Sequence, residues 1–528
     1  MTTMSPVFLY DTTLRDGTQR EDISLSVDDK LIIAQRLAGF GFHYIEGGWP
    51  GSNPKDAEFF ARARKLDLGA TKLAAFGRTR QKRLQCEHDT NLQALLDAQT
   101  PVVTMVGKSS DYHVELVLSA TLEENLAMIR DSVSYMKSHG REVMFDAEHF
   151  FDGFLANRDY ALATLRAAAE AGADWLVLCE TNGGKLPWEV EEIVREVQQH
   201  IKTPLGVHCH NDSGCGIANS LAAVRGGCTQ VQGTINGYGE RVGNANLTTI
   251  IPNLQLKMNR QVVLPEQLCE LTSLAHFVAE VVNLKHYSHA PYIGHSAFAH
   301  KGGIHVAAVL KASDTYQHID PALVGNEMRS VISELSGRGN IQFRAQSLGI
   351  DLNNDDAQNV LNHIKQLEHE GFTFEAADAS VDLILNRLRP DYVQPFELVD
   401  YFVIAERRLS SGLLSEATVK VKVDGELRFV AAEGNGPVNA LSTALRSALA
   451  GVYPVLKTVR LIDYKVRILD SANGTSAQIR VLITFQGGGQ VWTTVGASTN
   501  IIDASWRALS DSLEYALIKL DGQAILAS

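Results

Sequence analysis

Residues 205–212 read LGVHCHND, a short and mostly apolar run that closes on two histidines, an asparagine and an aspartate. A run of this length suits a buried strand, and residues i and i+2 of a strand point to the same side. His208 and His210 are therefore expected to converge at the strand end, with Cys209 facing away. The same pattern recurs through the first half of the chain: VFLYD (7–11), HYIEGG (43–48), KLAAFG (72–77), VVTMVG (102–107), EVMFDAE (142–148), WLVLCE (175–180) and VQGTIN (231–236). Amphipathic stretches lie between the runs, among them SVDDKLIIAQRLAGFG (26–41), TLEENLAMIRDSVSYMKSHG (121–140) and RDYALATLRAAAEAG (158–172). The first two open on Ser or Thr with an acid three residues on, a helix-entry signature. Several end at Gly, as helices often do.

Eight such units in about 250 residues match a (β/α)8 barrel, whose chemistry sits on the loops after the strands. Periodicity alone leaves a doubly wound open sheet in play. The placement of polar residues favours the barrel. Asp11 with Arg15 and Asp16, Glu46, Arg78, Glu148, Glu180 with Thr181 and Asn182, His208 with His210, and the segment Asn236 through Asn244 all fall at or just beyond run ends. A barrel brings those ends to one mouth.

The remainder of the 528 residues divides by texture. From about 265 to 395 the pattern is helical, broken by the Gly- and His-rich PYIGHSAFAHKGGIH (291–305). After 396 it alternates with period two in ATVKVKV, ELRFVAA, RLIDYKVRI, AQIRVLITF and QVWTTVGA, and each half ends in an amphipathic helix, PVNALSTALRSALAG or TNIIDASWRALSDSLEYALIKL. The expected organisation is a catalytic barrel at 1–270, helical linker subdomains at 271–395, and an α+β regulatory domain with an internal pseudo-repeat at 396–528.

A formal charge of −13, from 48 Lys plus Arg against 61 Asp plus Glu, argues against nucleic acid as a partner. Hydrophobic residues at 45% and charged residues at 21% are those of a folded soluble protein. No run of 18 apolar residues suggests a membrane span, and MTTMSPVFLYDTTLRDG lacks the basic n-region of a signal peptide. The six cysteines contain no C-x-x-C pair. A cytoplasmic protein without a disulfide framework is expected.

His208 and His210 together can grip a metal, although two histidines at a strand end are often only hydrogen-bonded neighbours. Asp16 adds a hard oxygen ligand at the same rim, and Asn244, in GERVGNANL, could add a carbonyl oxygen. A mixed N/O set without thiolate suits Mn²⁺, Mg²⁺, Zn²⁺ or Co²⁺ and leaves positions open for substrate. Arg15, beside Asp16, could stabilise an oxyanion forming on a metal-bound carbonyl. Without such neighbours it would read as a surface arginine.

Together, LYDTTLRDGTQRE (9–21), IEGGWPGSNPKD (45–56), HCHND (208–212), NGYGERVGNANL (236–247) and FAHKGGIHVAAVLK (298–311) resemble the DRE-TIM metallolyase superfamily, and within it the 2-isopropylmalate, homocitrate and citramalate synthases. The resemblance runs the whole length. GGWPGSNPKD and KGGIHVAAVLK resemble the citramalate-forming members more than those that form isopropylmalate. It implies metal ligands at Asp16, His208, His210 and Asn244, and catalytic roles for Arg15, Glu148 in FDAEHF, His305 in KGGIH and Tyr316 in TYQHIDP. It also implies a substrate-binding set of Arg15, Gln19, Glu46 and Thr181, in which Gln19 and Glu46 order Arg15 and the ligands. By residue type alone, Glu148 reads equally as a helix N-terminal acid, Thr181 as a cap, and His305 as a surface histidine.

The activity so implied is a Claisen-type condensation of acetyl-CoA with pyruvate, then thioester hydrolysis, in isoleucine biosynthesis. Isoleucine would act as feedback effector on the C-terminal domain. A homodimer would let the linker residues His305 and Tyr316 complete the partner's site. Three other readings remain: a sister synthase using 2-oxoisovalerate, a lyase or aldolase of the superfamily, and a catalytically silent amino-acid-binding protein.

Overall fold

The structure is a computed structural model and describes residues 6–521 apart from 310, 334–335, 409–411, 471–473 and 475. It forms two compact units, one reaching Phe298 and taking in Pro321–Glu327, the other comprising Ala299–Asp320 and the chain from Met328 onward.

Eight parallel strands close the first unit into a barrel: β1 Phe8–Asp11, β2 Tyr44–Glu46, β3 Lys72–Arg78, β4 Val102–Lys108, β5 Glu142–Glu148, β6 Trp175–Glu180, β7 Leu205–Cys209 and β8 Gln230–Gly233. Closure is made by β1 on β8, with Asp11 opposite Gly233, so the open-sheet alternative is excluded. The helices start where the sequence places them. Ser26 and Asp29 form a reciprocal capping box for Val27–Phe40, and Thr121 caps Leu122–Ser138.

The interior is layered by strand parity. Tyr10, Tyr44, Ala74, Val102, Met144 and Trp175 form one buried cluster. Two residues further along the same strands, on the same inward face, stand Glu46, Phe76, Thr104 and Asp146. The barrel is therefore apolar low in its interior and polar near the strands' C-terminal ends.

The unit continues beyond residue 270 because the helix Leu271–Val281 packs on Val27–Phe40, with Arg36 donating to Glu270 Oε2 at 3.1 Å and to Ser273 Oγ at 2.8 Å.

In the second unit, β9 Ala299–His300 pairs in parallel with β10 Arg329–Ser330, and helices span Gly303–Val309, Arg338–Ser347, Asn354–His369 and Asp378–Asn386. Two antiparallel three-stranded sheets follow. The first is β11 Glu397–Arg408, β12 Gly412–Val423 and β13 Glu426–Gly434, then helix Pro437–Leu449; the second is β14 Arg460–Ile468, β15 Ile479–Gly487 and β16 Gln490–Ser498, then helix Ile501–Leu520. Val419, Val421, Leu441, Leu445, Ile483, Leu509 and Leu513 share one buried core, which supports the reading of two matching halves. β11 is absent from the strands expected from sequence. Its run YFVI is apolar on both faces, with Phe402 and Ile404 exposed and Tyr401 and Val403 half-buried, so no period-two signal stands out.

Among the described residues no helix is long and apolar enough to cross a membrane.

Candidate active site at the barrel mouth

The loop after β1 is folded back on itself and tied to β8. Asp11 accepts from the Thr13 N–H and hydroxyl, both at 2.9 Å, and Thr13 Oγ1 in turn accepts from the Ile235 N–H at 2.9 Å. This turn delivers Arg15 and Asp16 over the barrel opening.

Arg15 is fixed on three sides. Its Nε donates to Glu46 Oε2 at 2.5 Å, its NH1 to Asp16 Oδ2 at 3.0 Å, and its Cζ lies 3.9 Å from the centre of the Phe76 ring. Tyr10 donates to the other oxygen of Glu46 at 2.8 Å. Burial by itself would lower the guanidinium's pKa, but Glu46 and Asp16 overcompensate and hold it charged. Glu46 is fully buried, and both its oxygens are engaged. It serves Arg15, and neither of its oxygens is free for substrate.

Asp16, His208 and His210 come together, with one ligand atom from each lying within 4.8 Å of the others. His208 Nε2 is 3.5 Å from Asp16 Oδ2, and the two imidazole centres are 5.2 Å apart. Burial would raise the Asp16 carboxyl, but Arg15, His208 and His210 bring it down to about 2. Burial lowers His208 to about 4 and lowers His210 as well, so both rings are neutral, the form that ligates metal.

Asn244 is carried in by the loop after β8, which is joined to β7 through a bridge between His210 and Asn244 and by Ala245 N–H donating to Cys209 O at 2.9 Å. Its amide nitrogen donates to Asp16 Oδ1 at 3.0 Å and to Tyr238 O at 3.1 Å. Gly239 permits this approach, for a Cβ there would stand 2.0 Å from the amide nitrogen. Asn244 Oδ1 and His210 Nδ1 are buried without a partner. Orphaned acceptors beside an ionised carboxylate and two neutral imidazoles fit a divalent cation.

A cavity of about 730 Å³ opens from this cluster, with Arg15, Asp16, His210, Thr181 and Glu148 in its wall and Gln19 at its exposed rim. Glu148 is ion-paired with Lys108 of the adjacent strand. Thr181 Oγ1 accepts from the His149 N–H at 2.8 Å, which leaves its own proton to donate. A larger cavity of about 840 Å³ lies at the opposite end of the barrel, near Phe42, Thr71 and Gln267, and among the described residues no metal-ligating cluster accompanies it.

His305 and Tyr316 belong to the second unit, where their rings stack at 4.2 Å. Both are exposed.

Several contributors escaped sequence reasoning. Trp49 packs edge-on against Phe76 at 5.4 Å, and both face the cavity. The Trp49 backbone N–H donates to Asp56 Oδ2 at 2.8 Å and its indole N–H to Asn91 Oδ1 at 2.7 Å; Asp56 is itself paired with the buried Lys30. Strand parity could have nominated Phe76, because Ala74 lies two residues earlier on the inward face. Trp49 directly follows the run HYIEGG (43–48), and its place just beyond a run end was the signal available for it.

The HMGL-like family matches residues 7–278, the homocitrate synthase post-HMGL domain-like family 292–371, and the LeuA allosteric (dimerisation) domain 375–517. An (R)-citramalate synthase of Geobacter sulfurreducens is 52% identical over 519 residues, covering 98% of both chains. Another from Aquifex aeolicus is 51% identical, covering 98% of this chain and 99% of that one. A 2-isopropylmalate synthase of Methanocaldococcus jannaschii is more distant, at 31% identity over 97% of this chain and 95% of that one. With the barrel family spanning half the chain and near-full-length relatives above 50% identity, the chain belongs to the HMGL-like family and, within it, to the (R)-citramalate synthases.

Proposed function

We propose that this chain joins acetyl-CoA to pyruvate and hydrolyses the thioester, releasing citramalate and CoA. The observation that carries this reading is the buried Asp16–His208–His210 cluster with Arg15 locked beside it in a single cavity. A 2-oxo acid offers adjacent keto and carboxylate oxygens to such a site. A divalent ion held by Asp16, His208, His210 and Asn244, whether Mn²⁺, Mg²⁺, Zn²⁺ or Co²⁺, supplies Lewis-acid polarisation of the ketone.

Arg15 donates to the ketone oxygen as it becomes an alkoxide, an interaction that grows with the charge and so lowers the barrier. Glu46 and Phe76 keep it in place. The Thr181 hydroxyl donates to the substrate carboxylate. A base removes a methyl proton from acetyl-CoA, the resulting carbon nucleophile bonds to the ketone carbon, and the alkoxide takes up a proton. Water then adds to the thioester carbonyl and CoA leaves as the thiol. His305 is the base in this scheme, aided by Tyr316 and Glu148, and it reaches the mouth of a partner barrel. The LeuA dimerisation match supports an assembly of at least two chains. Isoleucine is the proposed effector of the C-terminal domain.

Thiol release from acetyl-CoA, followed with a panel of 2-oxo acids, tests the reading. Pyruvate should outpace 2-oxoisovalerate, and a chelator should abolish turnover in a way that added Mn²⁺ or Co²⁺ reverses. Activity indifferent to chelation, or a preference for 2-oxoisovalerate, would overturn it.

A further inference from the structure

Gln232, on β8, stands behind the ligand His208 and faces Asp146 across the barrel. Its Oε1 is 3.1 Å from His208 Nδ1; its Nε2 is 3.3 Å from Asp146 Oδ1 and 3.5 Å from Gln230 Oε1. All four side chains are buried.

We infer that Gln232, anchored by Asp146, is a positioning residue that fixes the tautomer of His208 and so assigns Nε2 as the metal-binding nitrogen. The argument is one of donor and acceptor matching. Two acceptor oxygens face one end of the Gln232 side chain, so its amide nitrogen points there and its carbonyl oxygen points at His208. A carbonyl can only accept, so Nδ1 carries the proton. Nε2, on the Asp16 side of the ring at 3.5 Å from Oδ2, keeps its lone pair for the cation. A ligating histidine whose other nitrogen donates to a fixed oxygen is both oriented and made more basic. The inference also gives a purpose to Asp146, a buried carboxyl that the proposed chemistry does not use.

The inference rests on the metal-site reading above, and the test separates the two. Co²⁺ and Zn²⁺ affinities of the full-length apoprotein are measured by competition with a chromophoric chelator, together with the Co²⁺ d–d spectrum and the melting temperature. Gln232→Met preserves bulk and removes the acceptor; it should weaken metal binding about 10- to 100-fold and shift the Co²⁺ spectrum. Exchanging the pair, Asp146→Asn with Gln232→Glu, conserves charge and restores an acceptor for Nδ1; it should recover affinity to within about threefold of wild type. Wild-type affinity in Gln232→Met, or an exchanged pair as weak as Gln232→Met while melting like wild type, overturns the inference alone. Asp16→Ala binding as tightly as wild type overturns the metal-site reading and the inference with it.

Discussion

Glu46→Gln removes a charge from beneath Arg15 while keeping an oxygen that can accept from its Nε. In the structure the pair is sealed, with Glu46 fully buried and the Arg15 side chain 14% exposed, and Nε to Oε2 is 2.5 Å. At an effective dielectric near 20, charges about 4 Å apart attract by about 4 kcal/mol. Part of that is offset because a neutral amide escapes the desolvation cost of a buried carboxylate. A net loss of about 2 to 3 kcal/mol in holding Arg15 against the ketone oxygen is expected. At about 1.4 kcal/mol per decade this is a fall of roughly 30- to 150-fold in kcat/KM. Because Arg15 acts on charge that develops in the transition state, the loss should fall in kcat more than in the KM for pyruvate. Steady-state thiol release over a range of pyruvate concentrations reads both, and a melting curve checks the fold. Arg15→Lys, which loses the planar fork, should be at least as impaired. If Glu46→Gln stayed within threefold of wild type while Arg15→Lys collapsed, Asp16 and Phe76 alone would be holding the guanidinium, and the argument from Glu46 would be refuted.

Trp49→Ala opens the cavity wall beside Phe76. The ratio of kcat/KM for 2-oxobutyrate over pyruvate should rise about tenfold, as expected when one methylene is accommodated, and an unchanged ratio would remove Trp49 from the pocket's size limit. Burial lowers the His149 imidazole to about 4, below its value in the unfolded chain. The unfolded state therefore takes up a proton first as pH falls, and stability present above pH 6.5 is lost on descending toward pH 4. His149→Asn, which suits the left-handed backbone at φ 58°, should flatten that acid limb by on the order of 1 to 2 kcal/mol after discounting solvent screening, as read from melting temperature against pH. If isoleucine inhibits through the C-terminal domain, coupling is reciprocal. Saturating pyruvate should then weaken isoleucine binding by the factor with which isoleucine weakens pyruvate binding, measured calorimetrically on the full chain, and unequal factors would contradict it.

The barrel was legible because its grammar is local. Each strand carries its own apolar run and ends on its own polar residues, and the capping pairs Ser26 with Asp29 and Thr121 with Glu124 sit within one helical turn. The candidate ligands were legible for a related reason. His208 and His210 converge by strand parity, and Asp16 needs only the first strand to lie beside the eighth. β11 was missed because its run YFVI is apolar on both faces and shows no alternation.

What the amino-acid sequence determined by itself is the set of groups delivered to the barrel mouth, because period-two alternation and strand ends decide which side chains face inward and which crown the opening. The tertiary structure alone decided what holds them. Tyr10 reaches Glu46 and Thr104 on other strands, Gln232 meets Asp146 from β5 across the interior, and Trp49 closes on Phe76 from a neighbouring loop. These contacts depend on how far each strand is staggered against the next as the sheet closes. That register is a collective property of eight strands, which no single segment encodes.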